Sequence, residues 1–175
     1  MSSVHLISGL PCSGKTTYAV ALQADSRCAL FSLDRWLITL FGQYAIDAIG
    51  HEEHTRRVLA CRELIWSSAS ELLRRSVDVI LDDGFFFRDH RMCHVRLAEE
   101  IGANAKVHFV DTPLDVVRAR LERRNASLPA YNFYVSPELL QSFIGLFEIP
   151  SRIEGAELVL VGDASPGLGR VPGVQ

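Results

Sequence analysis

Eight residues near the amino end of the chain match a pattern that proteins use to hold phosphate groups. The segment Gly9-Leu10-Pro11-Cys12-Ser13-Gly14-Lys15-Thr16 fits G-x-x-x-x-G-K-[ST] without a gap. Its two glycines permit backbone angles that turn amide N–H groups inward, and the helix that follows adds partial positive charge. Lys15 is a compact charge that can follow a moving phosphate, and the Thr16 hydroxyl can bind Mg²⁺. The segment therefore predicts binding of a nucleoside triphosphate.

Lysine is scarce in this chain, which makes its place in the loop informative. Of the 18 basic residues only Lys15 and Lys106 are lysines, and the rest are arginines. Cys12 could be activated by the helix terminus and Lys15, but we favour the simpler interpretation of a small loop residue. We expect the nucleotide to contact the loop, the residue after it and one distant arginine. These residues are Gly9, Pro11, Cys12, Ser13, Gly14, Lys15, Thr16, Thr17 and Arg120.

Aspartates follow three of the predicted strands: Asp34 the second, Asp82 the third and Asp111 the fourth. Asp34 follows the second strand, where a carboxylate can accept the proton of an attacking hydroxyl, hold Mg²⁺ through water, or cap the next helix; we favour the catalytic role. Asp82 ends an apolar run in the manner of a Walker-B ligand for Mg²⁺, and we pair it with Thr16 as the metal site. Asp83 is a candidate for substrate binding or for starting the turn at Gly84.

Two groups of arginines could neutralise charge during phosphoryl transfer. Arg120 and Arg124 are four residues apart, on one helix face before a loop, as in a mobile lid. We assign Lys15, Asp34, Arg120 and Arg124 as catalytic. The predicted substrate-binding residues are Asp34, Arg35, Asp83, Arg88 and Arg91.

Alternating strands and helices must position these side chains. Apolar runs at 4–8, 28–33, 77–81, 106–110 and 157–161 predict five strands, and the amphipathic segments between them predict helices. This pattern predicts an α/β fold with a parallel sheet covered on both faces. Ligands of such sheets bind at the carboxyl ends of the strands, where the glycine-rich loop and the aspartates lie. We also expect Thr112 to cap a helix that begins with Pro113.

Composition limits the functional classes. The chain has 175 residues, a net charge of −3, no apolar run that could cross a bilayer and no secretory signal, so we expect no membrane contact and little attraction to nucleic acid. Four scattered cysteines indicate a reducing compartment, and we predict a cytoplasmic protein. We predict one domain over 1–163 and a flexible tail over 164–175. The absence of an N-K-x-D motif disfavours a GTPase switch.

The sequence resembles small P-loop kinases grouped as AAA-domain ATP-binding proteins, including zeta-toxin-like, chloramphenicol phosphotransferase-like and gluconate- or shikimate-kinase-like enzymes. The resemblance covers most of 4–161. It rests on the loop Gly9–Thr16, Asp34 within SLDRW, and the segments Val79–Arg91, His108–Asn125 and Phe147–Glu154.

This resemblance implies a three-layer P-loop fold with a five-stranded parallel sheet of nucleoside-monophosphate-kinase type. It implies a substrate-binding insertion at 35–75, a lid at 120–135, contact of Asp34 with the acceptor hydroxyl, and contact of Arg120 and Arg124 with phosphates. The predicted activity is Mg²⁺-dependent transfer of the γ-phosphate of ATP to a hydroxyl of a small molecule. Two alternatives are a polynucleotide or tRNA 5′-hydroxyl kinase and an ATP-binding regulatory ATPase without an acceptor.

Overall fold

One parallel sheet of five strands organises residues 1–162, the part of the chain that this computed structural model describes. The predicted tail at 164–175 lies outside the described residues. The sheet order is β2-β3-β1-β4-β5, and every neighbouring pair is parallel. The predicted α/β fold is confirmed. In chain order the strands are β1 (Ser3–Ser8), β2 (Ala29–Ser32), β3 (Val79–Gly84), β4 (Asn104–Val110) and β5 (Glu157–Val161).

Helices connect the strands and cover both faces of the sheet. The helices of the described residues are α1 (Lys15–Asp25), α2 (Leu33–Phe41), α3 (Ile46–Ile49), α4 (His51–Arg74), α5 (Arg88–Glu100), α6 (Leu114–Ala126) and α7 (Pro137–Leu146), with a 3-10 turn at Arg152–Glu154. None of these helices combines the length and the apolar character of a bilayer-spanning segment.

Successive side chains of the strands point to opposite faces of the sheet, and a hydrophobic core forms on each face. On β1, Val4 and Leu6 are fully buried in a cluster that includes residues of α2, α4 and α5. Ile7 points to the opposite face and packs with Ala19 of α1. Because successive strand residues face opposite sides, three layers result, with the sheet in the middle.

The sequence between β2 and β3 forms three helices. The breaks between these helices are at Gly42 and Gly50, both with positive φ. From α4, Cys61, Ile65 and Ala69 pack into the core under the sheet. This packing places the amino-terminal half of α4 beside the carboxyl ends of the strands.

The predicted cap at Thr112 is wrong. The helix begins at Leu114 with Pro113 as its N-cap, and Thr112 makes no cap. Its buried hydroxyl instead donates to the Ser13 carbonyl at 2.8 Å, so it fastens the glycine-rich loop to the end of β4. Ser136 caps α7, and its side chain accepts from the Leu139 amide at 3.1 Å.

Candidate functional site

The glycine-rich loop lies between β1 and α1 and has the backbone conformation of an anion-binding turn. Gly14 has φ 99° and Cys12 has φ 61°, which are left-handed conformations that turn amide groups to one side. A Cβ on Gly9 would lie 2.8 Å from both Ser13 Oγ and the Val110 carbonyl, so only glycine fits there. The strand end and the helix start therefore approach each other closely enough to form an anion-binding turn.

The loop contains polar groups suited to an anionic ligand. Lys15 Nζ donates to the Leu10 carbonyl at 2.6 Å, so the ammonium folds back over the loop. Burial lowers the pKa of Lys15, and nearby Asp82 and Asp34 oppose that shift. The buried hydroxyl of Ser13 has no hydrogen-bond partner among the described residues. Buried polar atoms are normally satisfied, and a bound phosphate would supply the missing partner.

The pKa of the Cys12 thiol is raised, whereas an activated thiol has a lowered pKa. Burial raises its pKa, and Arg124 and Lys15 oppose the shift without overcoming it. Its side chain is half-buried and packs against the cluster formed by α6 and α7. The packing and the raised pKa favour the interpretation of Cys12 as a small packing residue of the loop.

Thr16 and Asp82 meet below the loop. The Thr16 hydroxyl donates to Asp82 Oδ2 at 2.7 Å, joining the first turn of α1 to the end of β3. Asp82 is buried. A hydroxyl beside a carboxylate at a phosphate-binding loop offers two hard oxygen ligands of the kind that Mg²⁺ prefers. The donor set fits that ion.

Asp34 lies in the first turn of α2 and lines the same cavity. We expected it at a strand end; β2 ends two residues earlier, at Ser32. Its carboxyl group faces the open cavity, yet the surrounding protein and the negative charge of Asp82 raise its pKa from 3.8 to about 6, against the effect of Lys15. A carboxylate with this pKa can accept a proton near neutral pH.

Asp83 and Arg62 form an ion pair on the wall of the cavity. Arg62 Nε and Nη2 donate to the two carboxylate oxygens of Asp83 at 2.7 and 2.6 Å. Burial raises the pKa of Asp83, and the pairing with Arg62 opposes that shift. Our sequence analysis did not identify Arg62. Its position on the core-facing side of α4, with Cys61 and Ile65, was the available signal.

Two arginines of α6 face the glycine-rich loop from the other side. Arg120 Nη1 donates to the Ser13 carbonyl at 3.3 Å, and Arg124 Nη2 donates to the Phe133 carbonyl at 3.2 Å. Arg124 Nε is buried without a hydrogen-bond partner among the described residues. Both residues line the cavity. The structure therefore brings Lys15, Asp34, Arg120 and Arg124 to one cavity, and their catalytic roles stay a prediction.

The cavity formed by these segments has a volume of about 770 Å³. Its residues come from the glycine-rich loop, from α2 to α4, from the end of β3, and from α6 to α7. A volume of this order accommodates a drug-sized ligand. Of the tripeptide after Gly84, Phe85 is fully buried and belongs to the core, while Phe86 and Phe87 line the cavity.

Three predicted substrate-binding arginines do not line this cavity. The prediction for Arg91 is wrong: it is fully buried, its Nε and Nη2 donate to Glu154 at 2.6 and 2.7 Å, and its Nη1 donates to the Phe85 carbonyl. Arg35 is exposed and stacks over the ring of Tyr131 at 5.2 Å. Arg88 is exposed at the start of α5, where its backbone amide donates to Glu148.

The strand order, the glycine-rich loop and the strand-end carboxylates define a P-loop protein of kinase-like fold. The family model described as AAA domain matches residues 4–150. The chain belongs to this AAA-domain family, as the resemblance in its sequence indicates. None of the curated proteins compared with the sequence matches it.

Solved structures with the same fold include several kinases. A protein from Chloroflexus aurantiacus J-10-fl that is assigned as a kinase has a TM-score of 0.72 and 21% identity, over 92% of this chain and 88% of that one. Kti12 of Chaetomium thermophilum, in complex with ADP-AlF3, has a TM-score of 0.70 and 20% identity, over 94% and 91%. A gluconokinase of Sinorhizobium meliloti 1021 has a TM-score of 0.59 and 16% identity, over 94% and 84%.

Proposed function

We propose that this protein is an ATP-dependent phosphotransferase that transfers the γ-phosphate of ATP to a hydroxyl of a small molecule. One observation carries the proposal: Asp34, with its pKa of about 6, shares one cavity with the phosphate-binding loop. A proton-accepting carboxylate at that position suits a kinase, because an acceptor hydroxyl must lose its proton as it attacks phosphorus.

In this proposal the loop and the arginines hold the triphosphate. The backbone amides around Gly14 and the Lys15 ammonium bind the phosphates, and the buried Ser13 hydroxyl gains an acceptor. Arg120 and Arg124 neutralise the negative charge that spreads over the transferred group. Thr16 and Asp82 would hold Mg²⁺, which would supply charge neutralisation for the phosphates.

Asp34 accepts the acceptor's proton during transfer. The acceptor oxygen forms a bond to the γ-phosphorus, the bond from that phosphorus to the bridging oxygen of ADP breaks, and the hydroxyl proton moves to the Asp34 carboxylate. The products are a phosphate ester and ADP. The helical segment between β2 and β3 positions the acceptor, because α2, α3 and α4 each contribute to the cavity beside Asp34.

The proposal is tested by replacing Asp34. We expect Asp34→Asn to reduce phosphoryl transfer by about a hundredfold or more, the usual contribution of a general base, while ATP affinity measured by calorimetry stays within about threefold of wild type. Asp89→Asn is the matched control, because Asp89 also lies in the first turn of a helix but outside the cavity. Normal transfer by Asp34→Asn would overturn the assignment of Asp34 as the base.

The acceptor panel for this assay separates the alternatives. It contains small hydroxyl compounds together with an oligonucleotide that bears a 5′-hydroxyl. Phosphate found only on the oligonucleotide would identify a polynucleotide kinase. ATP hydrolysis with no phosphate ester on any acceptor would identify an ATPase.

A further inference from the structure

The wall of the cavity near Asp34 is apolar. The segment between β2 and β3 and the tripeptide after β3 contribute large hydrocarbon surfaces. The apolar residues on this side include Leu37, Ile46, Val58, Leu59, Phe86 and Phe87. Leu59 is 57% exposed and Phe87 is 47% exposed, so apolar surface also faces solvent at the edge of the cavity. Exposed apolar patches of this kind usually mark a binding surface.

The charges on this side are already paired. Arg62 uses two guanidinium nitrogens on Asp83, and the Asp83 side chain is only 9% exposed. His54 shares a hydrogen bond with the Tyr44 hydroxyl at 3.1 Å, and burial lowers its pKa, so the ring is neutral at pH 7. The other described cations of the cavity, Lys15, Arg120 and Arg124, adjoin the phosphate-binding loop. In the proposed function the triphosphate engages Lys15, Arg120 and Arg124, so these described cations are taken before a carboxylate or phosphate of the acceptor could bind them.

We infer that the acceptor is an uncharged hydroxyl compound with an apolar body, such as an aromatic or alicyclic alcohol. This inference rests on the proposed function and names its substrate class. Removing the apolar body from water drives binding, and the hydroxyl reaches Asp34 at the inner end of the apolar wall. A sugar would lose most of its hydrogen bonds to water against these side chains without replacing them, so the same wall selects against it.

A matched acceptor panel tests the inference. Aromatic and alicyclic alcohols are compared with glucose, gluconate and glycerol 3-phosphate, and phosphate esters are identified by mass spectrometry with ATP saturating. We expect kcat/KM for the best apolar alcohol to exceed that for each polar or anionic counterpart by at least about tenfold. Preferred phosphorylation of glucose or gluconate would overturn the inference and leave the kinase proposal standing.

Two variants of α4 localise the acceptor site. We expect Leu59→Glu to weaken binding of the best apolar alcohol by about tenfold, as calorimetry measures, because a charge then borders the apolar wall. Leu64→Glu is the matched control on the same helix, because Leu64 is 51% exposed but lies outside the cavity. ATP affinity stays unchanged in both variants. Equal effects of the two substitutions, or no binding of any apolar alcohol to the wild type, would overturn the inference.

A different observation concerns the opposite edge of the sheet. Cys28 and Asp78 directly precede the adjacent strands β2 and β3, and His5 lies on β1, the next strand across. One potential ligand atom from each of the three residues lies within 4.8 Å of the other two. Cys28 is 8% exposed, while His5 and Asp78 are half-buried. The group lies at the amino ends of the strands, and the phosphate-binding loop lies at their carboxyl ends.

Neighbouring groups hold these three side chains in place. The Ser3 amide donates to Asp78 Oδ1 at 2.8 Å, and the Ser26 hydroxyl donates to Cys28 Sγ at 3.0 Å. His5 Nδ1 is hydrogen-bonded to His108 Nε2 at 2.8 Å, which leaves His5 Nε2 for a ligand. Outer hydrogen bonds of this type orient the histidine, thiolate and carboxylate ligands of metal sites.

We propose that His5, Cys28 and Asp78 bind a divalent cation of borderline softness, of the class of Zn²⁺. Imidazole nitrogen, thiolate sulfur and carboxylate oxygen are the three donor types that Zn²⁺ accepts in proteins. Three protein ligands leave one tetrahedral position for water. Because the three residues adjoin adjacent strands, the ion would join the amino ends of β1, β2 and β3.

Cobalt tests this site independently of activity. We expect Co²⁺ added to the reduced protein to give a thiolate charge-transfer absorption band and visible bands of tetrahedral coordination, both bleached by one equivalent of Zn²⁺. Cys28→Ser should remove the thiolate band and His5→Gln should weaken Co²⁺ binding by about tenfold or more. Cys93→Ser, at an exposed cysteine, is the control and should keep the spectrum. No thiolate band in the wild type, or its loss in Cys93→Ser alone, would overturn the proposal.

Discussion

The acidity of Asp34 links this residue to the pH dependence of the proposed reaction. Its pKa is raised to about 6, so the base is protonated below that pH. We expect kcat/KM to fall by about tenfold for each pH unit below 6 and to level off above 7. In Asp34→Asn the residual rate should lose this dependence. A profile of wild-type transfer that is flat between pH 5 and 7 would contradict the role of Asp34.

The same shift predicts how Asp34 affects stability. A carboxyl group whose pKa is raised on folding binds its proton more tightly in the folded state. The stability that it contributes is complete below the unfolded value of 3.8 and is lost as the pH rises through about 6. Asp34→Asn should therefore have a thermal midpoint at pH 7.5 no lower than that of the wild type. A lower midpoint would mean that the substitution damages the fold, and its activity could not be interpreted.

The third prediction at the scale of single residues concerns Lys15. We expect Lys15→Ala to weaken ATP binding by about tenfold to a hundredfold, the loss of one charge-assisted hydrogen bond in a part-buried site. The chain's other lysine supplies the control: Lys106 forms an ion pair with Glu157 at 3.1 Å on the sheet edge. Lys106→Ala should leave ATP affinity unchanged in calorimetry. Unchanged affinity in Lys15→Ala would contradict the phosphate-binding assignment of the loop.

Sequence spacing predicted the roles of residues that act within one short segment. It failed to predict the role of a residue whose hydrogen-bond partner lies far away in the chain. The loop and Thr16 are contiguous, so a motif identifies them. The sequence does not distinguish Arg88 from Arg91. In the fold, Glu154, which lies 63 residues beyond Arg91, forms its ion pair with Arg91 and not with Arg88. Arg62 was missed because its place beside the core-facing residues of α4 does not name a partner, and the fold supplies that partner by bringing α4 beside the end of β3.

At the scale of elements, the pair of Arg91 and Glu154 fastens α5 to the 3-10 turn before β5. Both side chains are nearly inaccessible to solvent, and Arg91 also holds the carbonyls of Phe85 and Phe86 in the connection after β3. We expect Arg91→Met to lower the free energy of unfolding by about 3–5 kcal/mol, because a buried carboxylate loses its partner. Arg88→Ala, at an exposed position of the same helix, should change it by less than about 0.5 kcal/mol.

Urea denaturation measures both variants. The outcome distinguishes the structural role from the substrate-binding role that the sequence suggested. If Arg91→Met were as stable as the wild type and lost only acceptor binding, the structural assignment would be wrong. A loss of stability with normal acceptor affinity in the remaining folded protein is the expected result.

The helices and strands themselves were largely predictable because their signals are local. The five predicted apolar runs coincide with the five strands to within a few residues, and Ser136 caps α7 through its own side chain. Thr112 carries the same kind of local signal, yet its hydroxyl bonds to the Ser13 carbonyl across 99 residues. The N-cap position of α6 falls on Pro113, whose side chain has no acceptor, and the Thr112 hydroxyl is held at the Ser13 carbonyl.

At the scale of the whole molecule, the cavity joins parts of the chain that are distant in sequence. The phosphate-binding loop, the helices between β2 and β3, and the segment after α6 each form part of its wall. Arg124 connects two of these parts, because it lines the cavity and donates to the Phe133 carbonyl. A lid at 120–135 remains our prediction, and these contacts say how it would act: Arg124 would transmit phosphate binding to the loop beyond α6.

This arrangement predicts that nucleotide binding protects a segment outside the phosphate-binding loop. We expect a non-hydrolysable ATP analogue to slow hydrogen exchange of backbone amides at 127–136. A bound phosphate would restrain the Arg124 side chain, and the hydrogen bond from Arg124 to the Phe133 carbonyl would then restrain the backbone of this segment. In Arg124→Met the analogue should still slow exchange in the loop at 9–16 but not at 127–136. The amides of α5, which contributes no residue to the cavity wall, serve as the internal reference. Equal protection of 127–136 in wild type and Arg124→Met would mean that another contact transmits nucleotide binding to this segment.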